Sequence, residues 1–224
     1  MVQFMKPYKL AALAIVACTF AVPSIAQTVD PLWTKTLAHS ALVKKWAPED
    51  TTMRVDAVAD GKHDKAKTRS HLTGWDKGKP VYDTVQIEPR PEAGKPPVKA
   101  NSEMTDANNL GDGLMRMNAP VKRADGQVLH GKRWTTFDVA ESKGPMDVAV
   151  RVWVDPATGI IHQTESKVRG TLMFDMVLTT LYAPHPQAGS LPDSALFKLK
   201  VLVPFTDATV NIASSMSNWI ARPQ

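Results

Sequence analysis

Residues 146–159 read MDVAVRVWVDPATG, a pattern that predicts a β-strand ending in a tight turn. Successive side chains of a strand point to opposite faces, so the alternate valines of this stretch share one face: Val148, Val150, Val152 and Val154. The stretch 155–159 closes the turn, because proline presets φ and glycine accepts a positive φ. Residues 160–169 and 173–182 alternate in the same way, which predicts an antiparallel meander.

The same alternation recurs along the rest of the chain and predicts about eight strands in all. The further strands are expected at residues 51–58, 81–88, 132–140, 195–203 and 207–219. Asp125-Gly126 and residues 142–145 are read as turns. Residues 60–79 are polar and predict a loop or hairpin, and loops are also expected at residues 89–102, which are rich in proline, and at 184–192.

Two helices are expected beside this sheet. Asp30-Pro31 has an N-cap residue followed by proline at the first helical position, and Trp33, Leu37, Ala41, Leu42 and Trp46 recur at helical spacing up to Pro48. Residues 105–117 predict a second, short helix. The fold class is therefore α+β: a curved antiparallel sheet with helices against one face.

Residues 1–26 have the composition of a secretory signal peptide. Lys6 and Lys9 precede an apolar run at 10–22, and Ser24-Ile25-Ala26 provides the small residues read by a signal peptidase. We expect cleavage after Ala26, a periplasmic location, and one domain over residues 27–224. The alternative is a lipoprotein cut and lipidated at Cys18, which follows Ile15-Val16-Ala17.

No motif for reaction chemistry is present. The chain has no His-Glu-x-x-His, no Gly-x-Ser-x-Gly and no glycine-rich phosphate loop. His63 and His71, with Asp64 and Asp76, come nearest to a metal cluster but lack ligand spacing. Asp175 is read as a carboxylate on the wet face of a strand. We therefore expect no enzyme, no metal and no cofactor.

The charge pattern excludes nucleic acid as an expected partner. The formal net charge of the chain is +5, and the predicted signal peptide contributes Lys6 and Lys9 to it. The remaining basic residues are scattered along the sequence without interleaved aromatic residues.

The apolar faces of the predicted strands carry more information than the polar residues. Methionines lie among the valines, leucines and phenylalanines, and thioether side chains suit adaptable binding surfaces. A curved sheet covered by helices can hold a hydrophobic ligand on that face. The expected ligand-lining residues are Val55, Val85, Phe137, Val150, Val152, Met176, Leu178, Phe197, Val201 and Ile212.

The segment Val152-Trp153-Val154-Asp155-Pro156-Ala157-Thr158-Gly159-Ile160-Ile161 resembles one known family. It is similar to the strand, Asp-Pro-x-Thr-Gly turn and return strand of the periplasmic lipoprotein carriers of the Lol system and their outer-membrane lipoprotein-sorting relatives. Leu191-Pro192-Asp193 and a final strand ending near Trp219 also fit, so the resemblance covers residues 132–219.

The resemblance implies an unclosed half-β-barrel with helices packed in its concave face, over a cavity that receives acyl chains without an enzymatic step. Those carriers use an arginine of the sheet to help close the lid. Arg54 and Arg151 are candidates, but neither lies in a matching motif, so the role is not assigned.

The expected function is therefore periplasmic binding of the acyl chains of a lipid or lipoprotein, as a carrier or sensor in envelope biogenesis. The alternative is a ligand-free interaction or regulatory module of the envelope with the same fold and a protein partner. A hydrolase is a third class, which would need a nucleophile and a base that the sequence does not bring together.

Overall fold

The computed structural model describes residues 30–89, 121–170, 173–202 and 208–223. These residues form one α-helix, α1 (Pro31–Val43), and one sheet of ten strands. The strands are β1 (Trp46–Ala59), β2 (Lys62–Asp76), β3 (Lys79–Glu88), β4 (Val121–Leu129), β5 (Lys132–Lys143), β6 (Met146–Val154), β7 (Ile161–Gly170), β8 (Phe174–His185), β9 (Gly189–Val201) and β10 (Ala208–Ala221).

The sheet is antiparallel, curved and open. Its strand order is β3-β2-β1-β10-β9-β8-β7-β6-β5-β4, so β3 and β4 are the edges and β1 pairs with β10 in the interior. This confirms the predicted α+β half-barrel with an N-terminal helix, although the fold is mostly sheet. The short helix predicted at 105–117 and, apart from Pro89, the loop predicted at 89–102 lie outside the described residues. Within the described ranges, no helix has the length and apolar character needed to cross a membrane.

The central meander forms as the sequence predicts. Val148, Val150, Val152 and Val154 of β6 share one face, where Val152 lies opposite Phe137 of β5 and Thr164 of β7. The helix packs on this face, and we call it the helix face. The opposite surface of the sheet is called the outer face.

Two strands were not predicted from the sequence, and each has a physical reason. Strand β2 lies in the stretch read as a loop or hairpin, because its residues are polar on both faces and give no apolar alternation: Thr68 and Ser70 lie on the helix face, and Lys65 and Arg69 on the outer face. Strand β4 contains Asp125-Gly126, which is a bulge in the pairing with β5 rather than a turn.

The prediction of a loop at residues 184–192 is also wrong, because the loop is much shorter than predicted. Strand β8 continues to His185 and β9 begins at Gly189, so only a short turn separates them. His185 Nδ1 accepts hydrogen bonds from the backbone N–H groups of Gln187 and Ala188, at 3.4 and 3.2 Å. Prolines 184 and 192 are thus inside paired strands, where the sequence pattern favoured a loop.

The helix begins where predicted and ends earlier. Asp30 Oδ1 accepts hydrogen bonds from the N–H groups of Leu32 and Trp33, at 2.8 and 3.2 Å, which is an N-cap. The helix ends at Val43, and Trp46 belongs to β1 rather than to the helical stripe. Pro48 fits this strand because it pairs with Trp219 of β10 beyond the point where β2 pairing starts at Asp50.

The buried side of α1 differs from the predicted stripe. Leu37 is 38% exposed, whereas the polar residues Thr36 and His39 are buried. Thr36 Oγ1 donates a hydrogen bond to Leu32 O at 3.0 Å, so its hydroxyl is satisfied within the helix. Apolar spacing alone does not reveal a buried side that contains such satisfied polar groups.

The turn at 155–159 holds the helix against the sheet. Asp155 Oδ1 accepts hydrogen bonds from Ala157 N and Thr158 N, at 3.0 and 2.9 Å, and Gly159 has a φ of +75°. A Cβ at Gly159 would lie 2.9 Å from Lys35 Cβ and 3.2 Å from Leu32 O. Two constraints therefore require glycine at position 159: the positive φ and the close approach of α1.

Gly159→Ala should destabilise the protein more than Gly131→Ala does. Gly131 has a φ of +74°, but a Cβ there would have nothing within 4 Å, so its substitution carries only the backbone penalty of about 1–2 kcal/mol. Gly159→Ala adds the clash with α1, which we expect to lower the free energy of unfolding by about 1 kcal/mol more. Urea denaturation of the two variants measures the difference, and equal losses would show that α1 does not rest on this turn.

The N-cap of α1 is also tied to the edge strand β4. Arg123 donates to Asp30 Oδ2 at 3.0 Å and to Asp125 Oδ1 at 2.9 Å. Burial opposes ionisation of Asp30, but hydrogen bonds from Arg123, Trp33 N and Leu32 N outweigh it and hold the pKa of Asp30 below its usual value of 3.8. A lowered pKa means that the ionised cap stabilises the fold above that value and loses its effect as pH falls below it.

Asp30→Ala should therefore cost about 1 kcal/mol of unfolding free energy at pH 7. The difference from the wild type should shrink as pH falls through about 4 toward 2, because the wild-type carboxyl becomes protonated there. Asp30→Asn keeps a capping acceptor without a titrating charge and serves as the matched variant. A difference between the wild type and Asp30→Ala that stays constant over this pH range, in denaturant titrations, would contradict the charged cap.

Candidate functional site

Apolar side chains cross the helix face in a row that runs from strand to strand. Directly paired residues lie on the same face, and the pairing register connects the following in order: Val55, Ile212, Phe197, Leu178, Ser166, Val150 and Val139. At about 4.8 Å between neighbouring strands, this row extends for about 30 Å. Ser166 is its one polar member, and that serine is 3% exposed.

All of the predicted ligand-lining residues except Val85 lie on the helix face. Val55, Phe197, Leu178, Ile212 and Val150 belong to the row itself. Phe137 and Val152 form a neighbouring pair, and Met176 and Val201 lie on the same face of β8 and β9. Whether these residues line a ligand stays a prediction.

Val85 is separated from them. It pairs with Arg69 of β2, which pairs with Thr52 of β1, and this series of residues lies on the outer face. The alternation in β3 is correct, but the sequence gives no indication of which alternate set faces the helix. In β3 the helix face carries Thr84, and Val85 is 36% exposed on the other side.

Burial divides the helix face into two parts. Beneath α1, Phe137 and Val152 are 0% exposed, and the rings of Trp33 and Phe137 are 4.9 Å apart at an angle of 52°. Away from α1, on β8 to β10 and β1, Leu178, Ala195 and Met216 are buried, but other apolar side chains of the helix face are only partly buried. We call five of these the apolar floor: Val55, Met176, Phe197, Val201 and Ile212.

Further apolar residues, which were not among the predicted lining residues, extend the floor. Met53, Phe174, Leu199 and Val210 lie on the helix face of the same strands and are also half-buried. Their alternation with the predicted residues is the signal that could have found them. Apolar surface left partly open in this way marks interaction sites more often than packed cores do.

A band of hydroxyl groups adjoins the floor on β1 to β3. Thr51, Thr68, Ser70 and Thr84 are buried on the helix face, and Ser70 Oγ lies 2.8 Å from Thr84 Oγ1. The hydroxyl of Thr51 is buried without a hydrogen-bond partner among the described residues. The helix face therefore passes from an apolar surface to a polar one within three strands.

A buried histidine fixes α1 at the other end of this face. His39 Nε2 lies 3.2 Å from Ser190 O, and the N–H of Ile161 approaches His39 Nδ1 at 3.4 Å. Burial lowers the pKa of His39, against a smaller opposing effect of backbone contacts with Ser190 and Ala188. The neutral imidazole thus connects α1 to β7 and β9, a contact between residues too far apart in sequence for pattern analysis to detect.

The hydroxyl group of Ser190 also lies near His39. Ser190 Oγ is 3.3 Å from His39 Nε2 but donates its hydrogen bond to Ile161 O at 2.6 Å. The hydroxyl, the imidazole and the carbonyl form a buried polar brace. We assign this group to the seating of the helix.

The two candidate arginines and Asp175 lie on the outer face. Arg151 makes two hydrogen bonds to Asp138, at 2.7 and 3.0 Å, and Asp175 accepts one from Arg169 at 2.9 Å. Arg54 is likewise on the outer face, because it pairs with Lys67 and Ala213. Neither arginine is on the face that carries the apolar floor.

No metal centre is formed by the described part of the chain. His71 lies 3.0 Å from Asp50 in a cross-strand pair, and no group of three or more His, Cys, Asp or Glu side chains in the described ranges could hold a metal ion. Three cavities are bounded by described residues. Two, of about 440 and 580 Å³, are adjacent over Ala140 and Ala149, and the larger of these also touches Met176 of the floor. The third, of about 280 Å³, lies beside Trp134 and Tyr182.

Comparison with known proteins gives structural likeness only. No family model matches the chain, and no curated protein matches it in sequence. Among solved structures, the chain is similar to a domain from Vibrio parahaemolyticus assigned to outer membrane lipoprotein sorting, with 9% identity, a TM-score of 0.36, and coverage of 85% of this chain and 90% of that one. It is also similar to a DUF1329 family protein from Desulfovibrio piger, with 10% identity, a TM-score of 0.33, and coverage of 86% and 93%.

A lipoprotein-sorting domain is thus among the structural neighbours of the chain. Both TM-scores are below 0.5, so the fold and the candidate site rest on the strand register and burial of this chain itself.

Proposed function

We propose that this protein binds the acyl chains of a lipid or lipoprotein on the apolar floor, as a carrier or sensor in the bacterial envelope. The observation that carries the proposal is that the apolar side chains of the floor, on β8 to β10 and β1, are only half-buried, beside the part of the same face that α1 covers. An elongated apolar ligand fits such a surface better than a compact one, because the row crosses several strands.

The energetics of an acyl chain suit this surface. Each methylene group transferred from water to an apolar environment contributes about 0.8 kcal/mol, so affinity grows with chain length. Phe197 and Ile212 lie directly opposite each other at the centre of the floor, and Met176 offers a flexible thioether beside them. The surface is adaptable enough to accept chains of different shape.

The hydroxyl band gives the ligand a direction. A lipid has a polar end that must remain hydrogen-bonded when its chain is buried. Thr51 is the next residue on the helix face of β1 after Met53, which extends the floor. Its buried hydroxyl has no hydrogen-bond partner among the described residues. We place the acyl chain on the floor and the polar end toward Thr51, Ser70 and Thr84.

Binding and release require no bond to be made or broken, and we propose a non-enzymatic role. The proposed location is the periplasm, after cleavage at Ala26, where acyl chains must be shielded from water during transfer. A ligand-free interaction module is the competing function, and it predicts no affinity for an acyl probe.

Phe197→Glu should abolish binding of a fluorescent long-chain fatty acid that the wild-type protein binds. A carboxylate on the floor would have to lose its hydration against the acyl chain, so we expect affinity to fall at least about tenfold. Leu196→Glu is the matched control, because Leu196 is the neighbouring residue, 40% exposed on the outer face. Its affinity should equal that of the wild type.

Val55→Thr provides a second, gentler variant. It changes the shape of the side chain little and adds one hydroxyl to the floor, so affinity should fall severalfold. Because Val55 is only half-buried, we expect the fold to be retained. Circular dichroism and the urea midpoint report folding for all three variants. Wild-type protein that takes up no probe, or Phe197→Glu that binds as the wild type does, would contradict the proposal.

A further inference from the structure

The outer face of the sheet has two halves that differ in charge. On β4 to β8, acidic and basic side chains alternate across the strands: Lys122, Arg151, Lys167 and Arg169 are interleaved with Asp138, Asp147, Glu165 and Asp175. Arg151 pairs with Asp138, Lys167 with Glu165, and Arg169 with Asp175. The positive and negative charges on this half of the outer face therefore balance each other.

The other half, on β9, β10, β1 and β2, is positively charged. The register brings together on one face residues that are far apart in sequence, which we call the basic surface: Arg54, Lys65, Lys67, Arg69, Lys198 and Lys200. Lys198 of β9 pairs with Asn211 of β10, Asn211 pairs with Asp56 of β1, and Asp56 pairs with Lys65 of β2, so Lys198 and Lys65 lie on the same face. Basic residues that are scattered along the sequence therefore form one positively charged surface in the folded sheet.

Only part of this charge is compensated. Lys65, Lys67 and Arg69 have ion pairs with Asp56, Glu88 and Asp50, at 3.6, 3.7 and 3.4 Å. Arg54, Lys198 and Lys200 have no ion pair among the described residues. Arg54 also lies directly opposite Lys67, and two like charges in a cross-strand pair destabilise a sheet.

The shape of the basic surface favours a flat partner. Between Lys198 on β9 and Arg54 on β1, strand β10 presents only small or uncharged side chains: Thr209, Asn211, Ala213 and Ser215. The surface spans about 14 Å from β9 to β2. Leu196, within it, and Leu202, just beyond β9, are 40% and 37% exposed.

We propose that the basic surface docks the protein on the anionic phospholipid headgroups of a bilayer. Unpaired cations are drawn to a negatively charged membrane, and exposed leucines among them can enter the headgroup region. An acidic protein would match the charge, but the exposed leucines on either side of Lys198 and Lys200 favour a lipid surface. This proposal concerns the outer face and does not depend on acyl binding at the floor.

The test uses sedimentation of the purified protein with vesicles of phosphatidylglycerol and phosphatidylcholine, and with vesicles of phosphatidylcholine alone. We expect the wild type to bind the anionic vesicles at low salt and to dissociate as salt screens the charges. The triple variant Arg54→Gln, Lys198→Gln, Lys200→Gln should lose about tenfold or more in affinity. The control Lys77→Gln, Lys79→Gln, Lys132→Gln removes the same net charge from exposed residues elsewhere, and it should bind as the wild type does.

The proposal would be overturned by no binding of the wild type to anionic vesicles, by equal loss in both triple variants, or by full competition by inorganic phosphate at low millimolar concentration. The last would indicate a site for a free anion. Binding that is as strong to phosphatidylcholine alone would also overturn it, because charge would then not be involved. Uptake of the fluorescent fatty acid by the same variants is measured in parallel, so failure of docking is distinguished from failure of the acyl-binding proposal.

Discussion

The architecture depends on one mismatch of size, between a short helix and a wide sheet. A helix of 13 residues is about 20 Å long, whereas ten strands extend for about 43 Å across the sheet. Trp33 and Leu32 therefore bury the part of the helix face around Phe137 and Val152. The end of α1 joins a second cluster with Trp46 and Trp219, but Val55 and Ile212 of the floor belong to neither cluster. The apolar floor is what remains of a face that the helix can cover only in part.

The position of α1 is fixed by polar contacts at both ends rather than by a long apolar stripe. Asp30 and Arg123 hold its start near β4, and His39 holds its last turns against Ser190 and Ile161. Gly159 allows the turn after β6 to approach it closely. These contacts hold the helix against β5 to β7 and the start of β9, so they determine which apolar residues are packed beneath it and which remain half-buried.

The two faces of the sheet then suit different parts of one task. The helix face offers an apolar floor next to a hydroxyl band, which matches an amphiphile. The outer face offers a basic surface on the same strands, β9, β10 and β1, behind the floor. A protein that exchanges acyl chains with a membrane needs both an apolar site and a means of reaching the bilayer, and here the two would lie back to back.

Local patterns predicted the elements better than their placement. The valines of β6, the turn at 155–159 and the N-cap at Asp30 follow from nearest-neighbour chemistry, and all are found where the sequence indicates. Strand β2 could not be predicted, because its side chains are polar on both faces and its pairing depends on β1 and β3. The facing of Val85, the brace at His39 and the basic surface all depend on which strands become neighbours, which local sequence does not specify.

The central claim is that the apolar floor holds an acyl chain, and native mass spectrometry of the protein purified from a bacterial periplasm tests it most directly. We predict a stoichiometric adduct that organic extraction identifies as an acyl-bearing lipid or lipoprotein fragment. A clean apo mass, together with no uptake of added fatty acid, would contradict the claim and favour a ligand-free interaction module. The same spectrum gives the mass of the N-terminus and so distinguishes cleavage after Ala26 from lipidation at Cys18.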